Sequence, residues 1–389
     1  MLLSRLYIGT SGWDYDDWIG PFYAEDKRLF SQYYEIFNTV EINSTFYSYP
    51  TLNFMKGLAR IAPWGFKFSA KIPKEITHKK KVNTKLGVEN DLKRFLGLLQ
   101  PLKSERKLGA LLIQLPPLAR NEIPYFEDFL NILPSNKYRF SIEFRHDSWL
   151  CQEIYSMLEK YNIAFTIVDE PLLPPIVKVT AGFAYIRWHG RGERPWYYYM
   201  YTLKELEEWV PRIKEIMNSV GIVFGYFNNH FRGYAPRNAL QMLSLLGLIN
   251  KSQRLKLQEI DYYFSRKAIE ITKEKAKKIT PEKAELEELL LLFLNEKRLE
   301  RAKGMPDSQV ILEKVSDNLI KARVKNYRIL IDVEKKLIKH DCEDWKKRCI
   351  SMQFCKHMGK LFLVLPKKLG KSLLLKIIDE IDEWEFKEF

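Results

Sequence analysis

The chain has 389 residues, 46% of them hydrophobic and 29% charged, with a formal net charge of +14. Such a length allows two domains or one large domain with an appendage, and the composition is that of a folded protein with a substantial core. No apolar run is long enough to span a bilayer and no signal-peptide pattern opens the chain, so a cytoplasmic location with no membrane partner is expected.

From the start to about residue 230, short apolar runs alternate with helical or looped segments. Strands are expected over 5–10, 39–47, 65–72, 109–115, 141–145, 163–169, 183–190 and 222–229. Helices are expected over 28–37, 92–102, 125–133, 151–161 and 203–220. Eight strands with intervening helices over about 240 residues predict an α/β chain with a (β/α)₈ TIM-type barrel. An open doubly wound sheet is the rival, but no Gly-rich phosphate fingerprint follows any strand.

The strand ends carry the chemistry. In the fifth run, Glu143 and Arg145 alternate with Ile142 and Phe144, which sends both charged side chains to one side. Burying that pair is costly unless the charges meet each other or a ligand. Polar residues close most of the other runs too, on the face where barrel enzymes build their sites. The candidates for catalysis are Glu41, Glu143, Arg145, His146, Asp169, Arg187 and His189. Candidates for substrate contact are Trp13, Asn43, Lys71, Gln114, Asn228 and Asn229. A buried ion-pair network that merely closes the barrel is the competing account of the same residues.

These residues also carry a resemblance. Gly9-Thr10-Ser11-Gly12-Trp13, Val40-Glu41-Ile42-Asn43-Ser44-Thr45-Phe46-Tyr47 and Gln114-Leu115-Pro116-Pro117 belong to it. So do Glu143-Phe144-Arg145-His146-Asp147-Ser148-Trp149, Arg187-Trp188-His189-Gly190 and Phe227-Asn228-Asn229. Together they resemble the YecE-like family, domain of unknown function 72, over about residues 4–245. The resemblance implies a TIM-type barrel distantly similar to xylose-isomerase-like enzymes, some of which are metal-dependent sugar isomerases or DNA endonucleases. It implies no reaction for this chain, so function has to come from the site.

At the mouth, Lys71, Arg145 and Arg187 suit a phosphate or carboxylate. A carboxylate beside a histidine suits general acid–base work, or a catalytic divalent metal, although no tight metal-ligand spacing is present. Trp13, Tyr15, Trp18, Trp149, Trp196 and Tyr197 supply faces for stacking on sugars or bases, or simply seal the barrel top. Lys79, Lys80, Lys81 and Lys85 face a polyanion in one reading and solvent in the other.

Beyond the barrel (1–248), residues 249–305 read as a charged helical connector with an amphipathic helix over 282–298. Residues 306–389 read as a small ββα module: strands over 327–333 and 337–340, then a helix from Cys355 to Leu365. Three of the four cysteines, Cys342, Cys349 and Cys355, cluster here between His340 and His357, which favours a metal over disulfides. His340, Cys342, Cys355 and His357 form a ligand set for a closed structural zinc site, with Cys349 as an alternative fourth ligand. The pattern is similar to the SWIM zinc finger, Cys-x-Cys then Cys-x-His, with His340 in place of the first cysteine.

SWIM modules are associated with DNA binding or protein interaction, which the resemblance extends to this one. The basic surplus nearby makes Arg323, Lys325, Arg328, Lys346, Lys347 and Arg348 the candidate phosphate contacts. Charge density of this kind also serves stability in thermophiles. Three functions therefore stand. The first is a nucleic-acid-associated hydrolase, nuclease-like, gripping DNA or RNA through the zinc module. The second is an enzyme of sugars or phosphorylated metabolites whose module contacts proteins. The third is a non-catalytic DNA-binding scaffold.

Overall fold

The computed structural model describes residues 4–192, 196–346 and 348–389. The chain divides into two compact units, Met1–Leu257 and Gln258–Phe389.

In the first unit, β1 (Arg5–Ser11), β2 (Thr39–Ile42), β3 (Lys67–Lys71), β4 (Leu108–Gln114), β5 (Arg139–Glu143), β6 (Ala164–Asp169), β7 (Ala184–Trp188) and β8 (Ile222–Phe227) close a barrel in chain order. Every pairing is parallel, and β8 returns to β1. β2, β6 and β7 are buried along their whole length, as strands covered on both faces must be. All eight expected strands are present, so the barrel expectation is met.

The helices differ in detail. The expected helix over 92–102 is two, Val88–Leu98 and Gln100–Ser104, with Pro101 opening the second. The second strand stops at Ile42 rather than running to residue 47, and Ser44–Tyr47 turns helical. There Thr45 donates its hydroxyl to the carbonyls of Ile42 and Lys71, at 2.9 and 2.7 Å, a local bond that competes with strand pairing. Helices Leu52–Ile61 and Tyr234–Leu245 were not anticipated. The second is buried from Ala235 to Leu243, so it shows no amphipathic stripe to read.

Alternation along each strand fixes what enters the barrel. A lower layer joins Tyr7, Ala110, Leu112, Ala164, Phe183, Tyr185, Phe224 and Tyr226 in one apolar cluster. Above it, Tyr226 bonds Thr39 (2.7 Å) and Ser69 (2.9 Å), and Ser141 bonds Thr166 (2.6 Å). Two residues further along the same faces come Glu41, Lys71, Gln114, Glu143, Arg187 and Asn228, and, four residues beyond Thr166 and past the end of β6, Glu170. The barrel is thus plugged below and polar above.

The second unit is built on a five-stranded sheet of order β13-β12-β11-β10-β9: β9 (Val310–Val315), β10 (Leu319–Val324), β11 (Tyr327–Asp332), β12 (Leu337–His340) and β13 (Glu385–Glu388). The expected ββα hairpin is β11, β12 and the helix Lys356–Val364, set inside this larger sheet. The expected helix over 282–298 is instead two, Leu286–Leu290 and Glu296–Lys303, because Asn295 caps a fresh start by accepting from Arg298 N–H. Leu289 and Leu299 of these helices, and Phe293 between them, share one core with Ile331, Trp345, Phe354 and Leu374. Among the described residues no helix is long and apolar enough to cross a membrane.

Candidate functional site

Arg187 is the hub of the barrel mouth. It is 1% exposed and donates to Glu41 Oε1 and Glu143 Oε2, both at 2.7 Å. Glu41 is completed by Ser11 (2.8 Å) and Tyr185 (2.6 Å) hydroxyls. Arg145 continues the chain of charges, pairing with Glu143 and Glu170. Glu41–Arg187–Glu143–Arg145–Glu170 therefore alternates in sign, which is what allows so many charges to be buried. The satisfaction is incomplete. Nε of Arg145, Nε of Arg187 and Oε1 of Glu170 are buried with no hydrogen-bond partner among the described residues.

His189 faces this network with Nε2 lying 3.1 Å from Arg145 and 3.4 Å from Arg187, while Nδ1 lies 2.9 Å from the Asn228 amide. Burial, followed by Arg145, pushes its pKa down to about 3, so the ring is neutral and Nε2 accepts from the guanidiniums. Burial opposes ionisation of Glu143, but Arg145 and Arg187 outweigh it and hold the carboxyl well below its usual range.

Two groups are set near neutrality. Lys71 closes β3 with Nζ 3.8 Å from the centroid of the Phe46 ring, and this Nζ has no hydrogen bond or ion pair among the described residues. Burial, then the Arg187 charge, lowers its pKa to about 7. Glu170 moves the other way: burial raises its pKa to about 7 despite Arg145. An amine and a carboxyl that both exchange protons at neutral pH are the mark of an acid–base site, although ion-pair networks shift pKa values too. Bordering the network at Arg145 and His189 lies a cavity of about 300 Å³, lined also by Gln114, Pro117, Leu172, Trp196, Tyr197 and Asn228.

The structure thus brings together Glu41, Glu143, Arg145, Arg187 and His189, with Lys71 beside them and Gln114 and Asn228 on the cavity wall. Asn43 stands next to Tyr15, whose pKa burial pushes up to about 12 against the Asn43 hydrogen bond. Four expected residues lie elsewhere. Asp169 has the opposite facing on β6, and its carboxylate takes Arg191 (2.8 Å) and Trp209 Nε1 (2.6 Å). His146 follows Arg145 by one residue and so turns away, its Nδ1 accepting Ser148 N–H at 3.2 Å to cap a short turn. Asn229 likewise turns outward, holding Tyr199 O and Asn238 at 2.8 Å each. Trp13 packs on Phe30 with ring centroids 5.4 Å apart. Glu170 was not among the candidates. Counting by twos from Thr166, which bonds the inward Ser141, would have selected it over Asp169.

A divalent metal at the mouth would need free carboxylate oxygens, and those of Glu41 and Glu143 are engaged by Arg187, Arg145, Ser11 and Tyr185. Among the described residues the group gathered as for a metal is in the second unit: His340, Cys342, Cys355 and His357, all buried, with ligand atoms within 4.8 Å of one another. Cys349 is outside this group, its Sγ lying 3.7 Å from Lys346 O. His340 Nδ1 lies 2.6 Å from Arg328 O, to which it donates, and its Nε2 is buried without a hydrogen-bond partner among the described residues. That is how a ligating histidine is oriented by its outer shell. Trp345 and Met358 N–H groups donate to the sulfurs of Cys342 (3.3 Å) and Cys355 (3.5 Å). The donor set fits a metal held by nitrogen and sulfur in a closed site.

The candidate phosphate contacts are largely engaged. Arg323 pairs with Glu313 (2.6 Å), Arg328 with Asp341 (2.9 Å), Lys346 with Glu343 (3.0 Å) and Arg348 with Asp344 (2.8 Å). Lys325 sits in the β10–β11 turn at φ 56°, and Lys347 lies outside the described residues. In the barrel, Lys79 and Lys80 pair with Glu75 and Asp91, at 2.7 and 2.6 Å.

Comparison with known proteins agrees with the barrel fold. The family profile described as "Protein of unknown function DUF72" matches residues 7–260. UPF0759 protein YunF of Bacillus subtilis is 26% identical over 274 residues, which is 62% of this chain and 95% of that protein. The crystal structure of a DUF72 family protein from Thermotoga maritima is 32% identical with a TM-score of 0.56, covering 62% of this chain and 99% of its own. A DUF72 family protein from Enterococcus faecalis, 20% identical, shares the fold with a TM-score of 0.56 over 64% of this chain and 97% of its own.

Proposed function

The chain belongs to the DUF72 family, whose description assigns no reaction, and we propose that its barrel mouth is an acid–base active site for a small anionic substrate. The substrate class is a sugar-sized molecule carrying phosphate or carboxylate. The observation that carries this is a buried charged cluster in which Arg145 and His189 line a cavity of about 300 Å³, with Lys71 lowered and Glu170 raised to about 7 around the same two arginines, Arg145 and Arg187. That volume holds roughly ten waters, the scale of one sugar ring with its substituent.

In this reading Arg145 receives the anion, since it lines the cavity and its Nε has no hydrogen-bond partner among the described residues. Gln114, Asn228 and neutral His189 orient hydroxyls, and Trp196 and Tyr197 cover the ring. Lys71 accepts a proton, Glu170 supplies one, and Glu41, Glu143 and Arg187 hold the charged frame still. Calorimetric titration with phosphorylated and carboxylated sugars tests it. At least one should bind, and Arg145→Gln should weaken it by about 10-fold or more. If none binds while DNA or RNA gives a salt-sensitive band shift, the proposal falls.

A nuclease-like hydrolase is the second reading, and the +14 charge favours it. It ranks second because four of its six candidate phosphate contacts already hold carboxylates. For the second unit we propose a structural zinc on His340, Cys342, Cys355 and His357, in the manner of a SWIM-type finger. Zinc would supply folding energy there. About one zinc per chain, lost in Cys355→Ser, is the expected metal analysis.

A further inference from the structure

We propose that Lys71 is a nucleophile that forms an imine with an aldehyde or ketone bearing a phosphate or carboxylate. This deepens the small-anion reading of the mouth and rests on it. Three features of position single out this amine. Lys71 ends β3, where Thr45 fixes its carbonyl (2.7 Å) and Leu112 its register, so its backbone cannot drift. It is buried to 9% exposure with no carboxylate within ion-pair distance among the described residues, unlike Arg145 and Arg187. It also shares the mouth with those two guanidiniums. The Phe46 face favours the ammonium, but burial and the neighbouring cations outweigh it, so much of the amine is neutral at pH 7. Desolvation beside a second cation is one of the ways in which enzymes activate a lysine as a nucleophile.

The step balances without an oxidant or reductant. The Nζ lone pair attacks the carbonyl carbon, the C=O π pair moves to oxygen, and that oxygen takes the amine's proton. The carbinolamine then loses its hydroxyl as water, with one further proton from an acid of the cluster, leaving a protonated C=N bond. Glu170 is the carboxyl that still carries a proton near neutrality. The neighbouring Arg145 draws the anionic end of the substrate, which places the carbonyl within the cluster. An iminium so formed withdraws electrons from the adjacent carbon, the use to which such lysines are put in carbon–carbon bond and proton-transfer chemistry.

The test uses the full-length protein with dihydroxyacetone phosphate and sodium cyanoborohydride at pH 7, followed by peptide mapping. Lys71 should gain the reduced adduct about tenfold or more faster than the exposed Lys93 and Lys160, which pair with Glu89 and Glu127, in the same sample. Modification of Lys71 no faster than theirs, with calorimetric binding of the same compound intact, overturns the imine and leaves the anion site standing. Neither binding nor modification overturns both.

Discussion

Replacing Lys71 with Met tests the electrostatics of the mouth without knowledge of the substrate. The amine's pKa falls from 10.5 unfolded to about 7 folded. Between those values the unfolded chain binds more protons, so this group's contribution makes stability rise with pH, and its cost is complete below pH 7. The whole difference corresponds to on the order of 5 kcal/mol at about 1.4 per unit, of which roughly 3 kcal/mol is recovered between pH 7 and pH 10. Lys71→Met keeps the apolar stem over Phe46 and removes the titration. Urea unfolding of both proteins across that range isolates the effect, since every other titrating group is common to the pair. The variant should be the more stable at pH 7, and its advantage should shrink by about 3 kcal/mol by pH 10. Curves that stay parallel, within about 0.5 kcal/mol, would refute a displaced Lys71.

Other outcomes follow from the same network. Any activity found at the mouth should depend on pH as a bell centred near 7, falling on the acid side as Lys71 protonates and on the alkaline side as Glu170 ionises. Glu170→Gln should remove the alkaline limb in a pH–rate profile. Arg187→Met should cost about 3–5 kcal/mol in denaturant unfolding, because Glu41 and Glu143 would stay buried without their shared cation. Asp169→Asn should lower the melting temperature by loosening Arg191 and Trp209 while leaving anion affinity unchanged in calorimetry. Chelation, or Cys355→Ser, should release zinc and open the second unit, read as faster amide exchange in β11 and β12.

Much of this was legible in the chain. Eight apolar runs at barrel spacing carried the fold, because buried parallel strands are continuous in Val, Ile, Leu and Phe. Glu41, Glu143, Arg145, Arg187 and His189 were legible because charges inside such runs have few reasons to exist. The errors were of facing. Asp169, His146 and Asn229 each sit one residue from the inward Glu170, Arg145 and Asn228, and a shift of one residue reverses the side. The displaced titration of Lys71 was not legible, since it depends on Phe46, Arg145 and Arg187 arriving from three other parts of the chain. The His–Cys set was visible from spacing alone, but its sheet was not: β13 is four residues, Glu385–Glu388, in an acidic tail.

The central claim is an amine and a carboxyl poised near neutrality in one buried, anion-accepting cluster. Carbon-13 NMR titration of labelled Lys71 and Glu170, assigned through Lys71→Met and Glu170→Gln, reads both protonation states directly. The account predicts midpoints near 7 for each, shifted when inorganic phosphate is added. Midpoints at the ordinary values of 10.5 and 4.5, indifferent to phosphate, would contradict it.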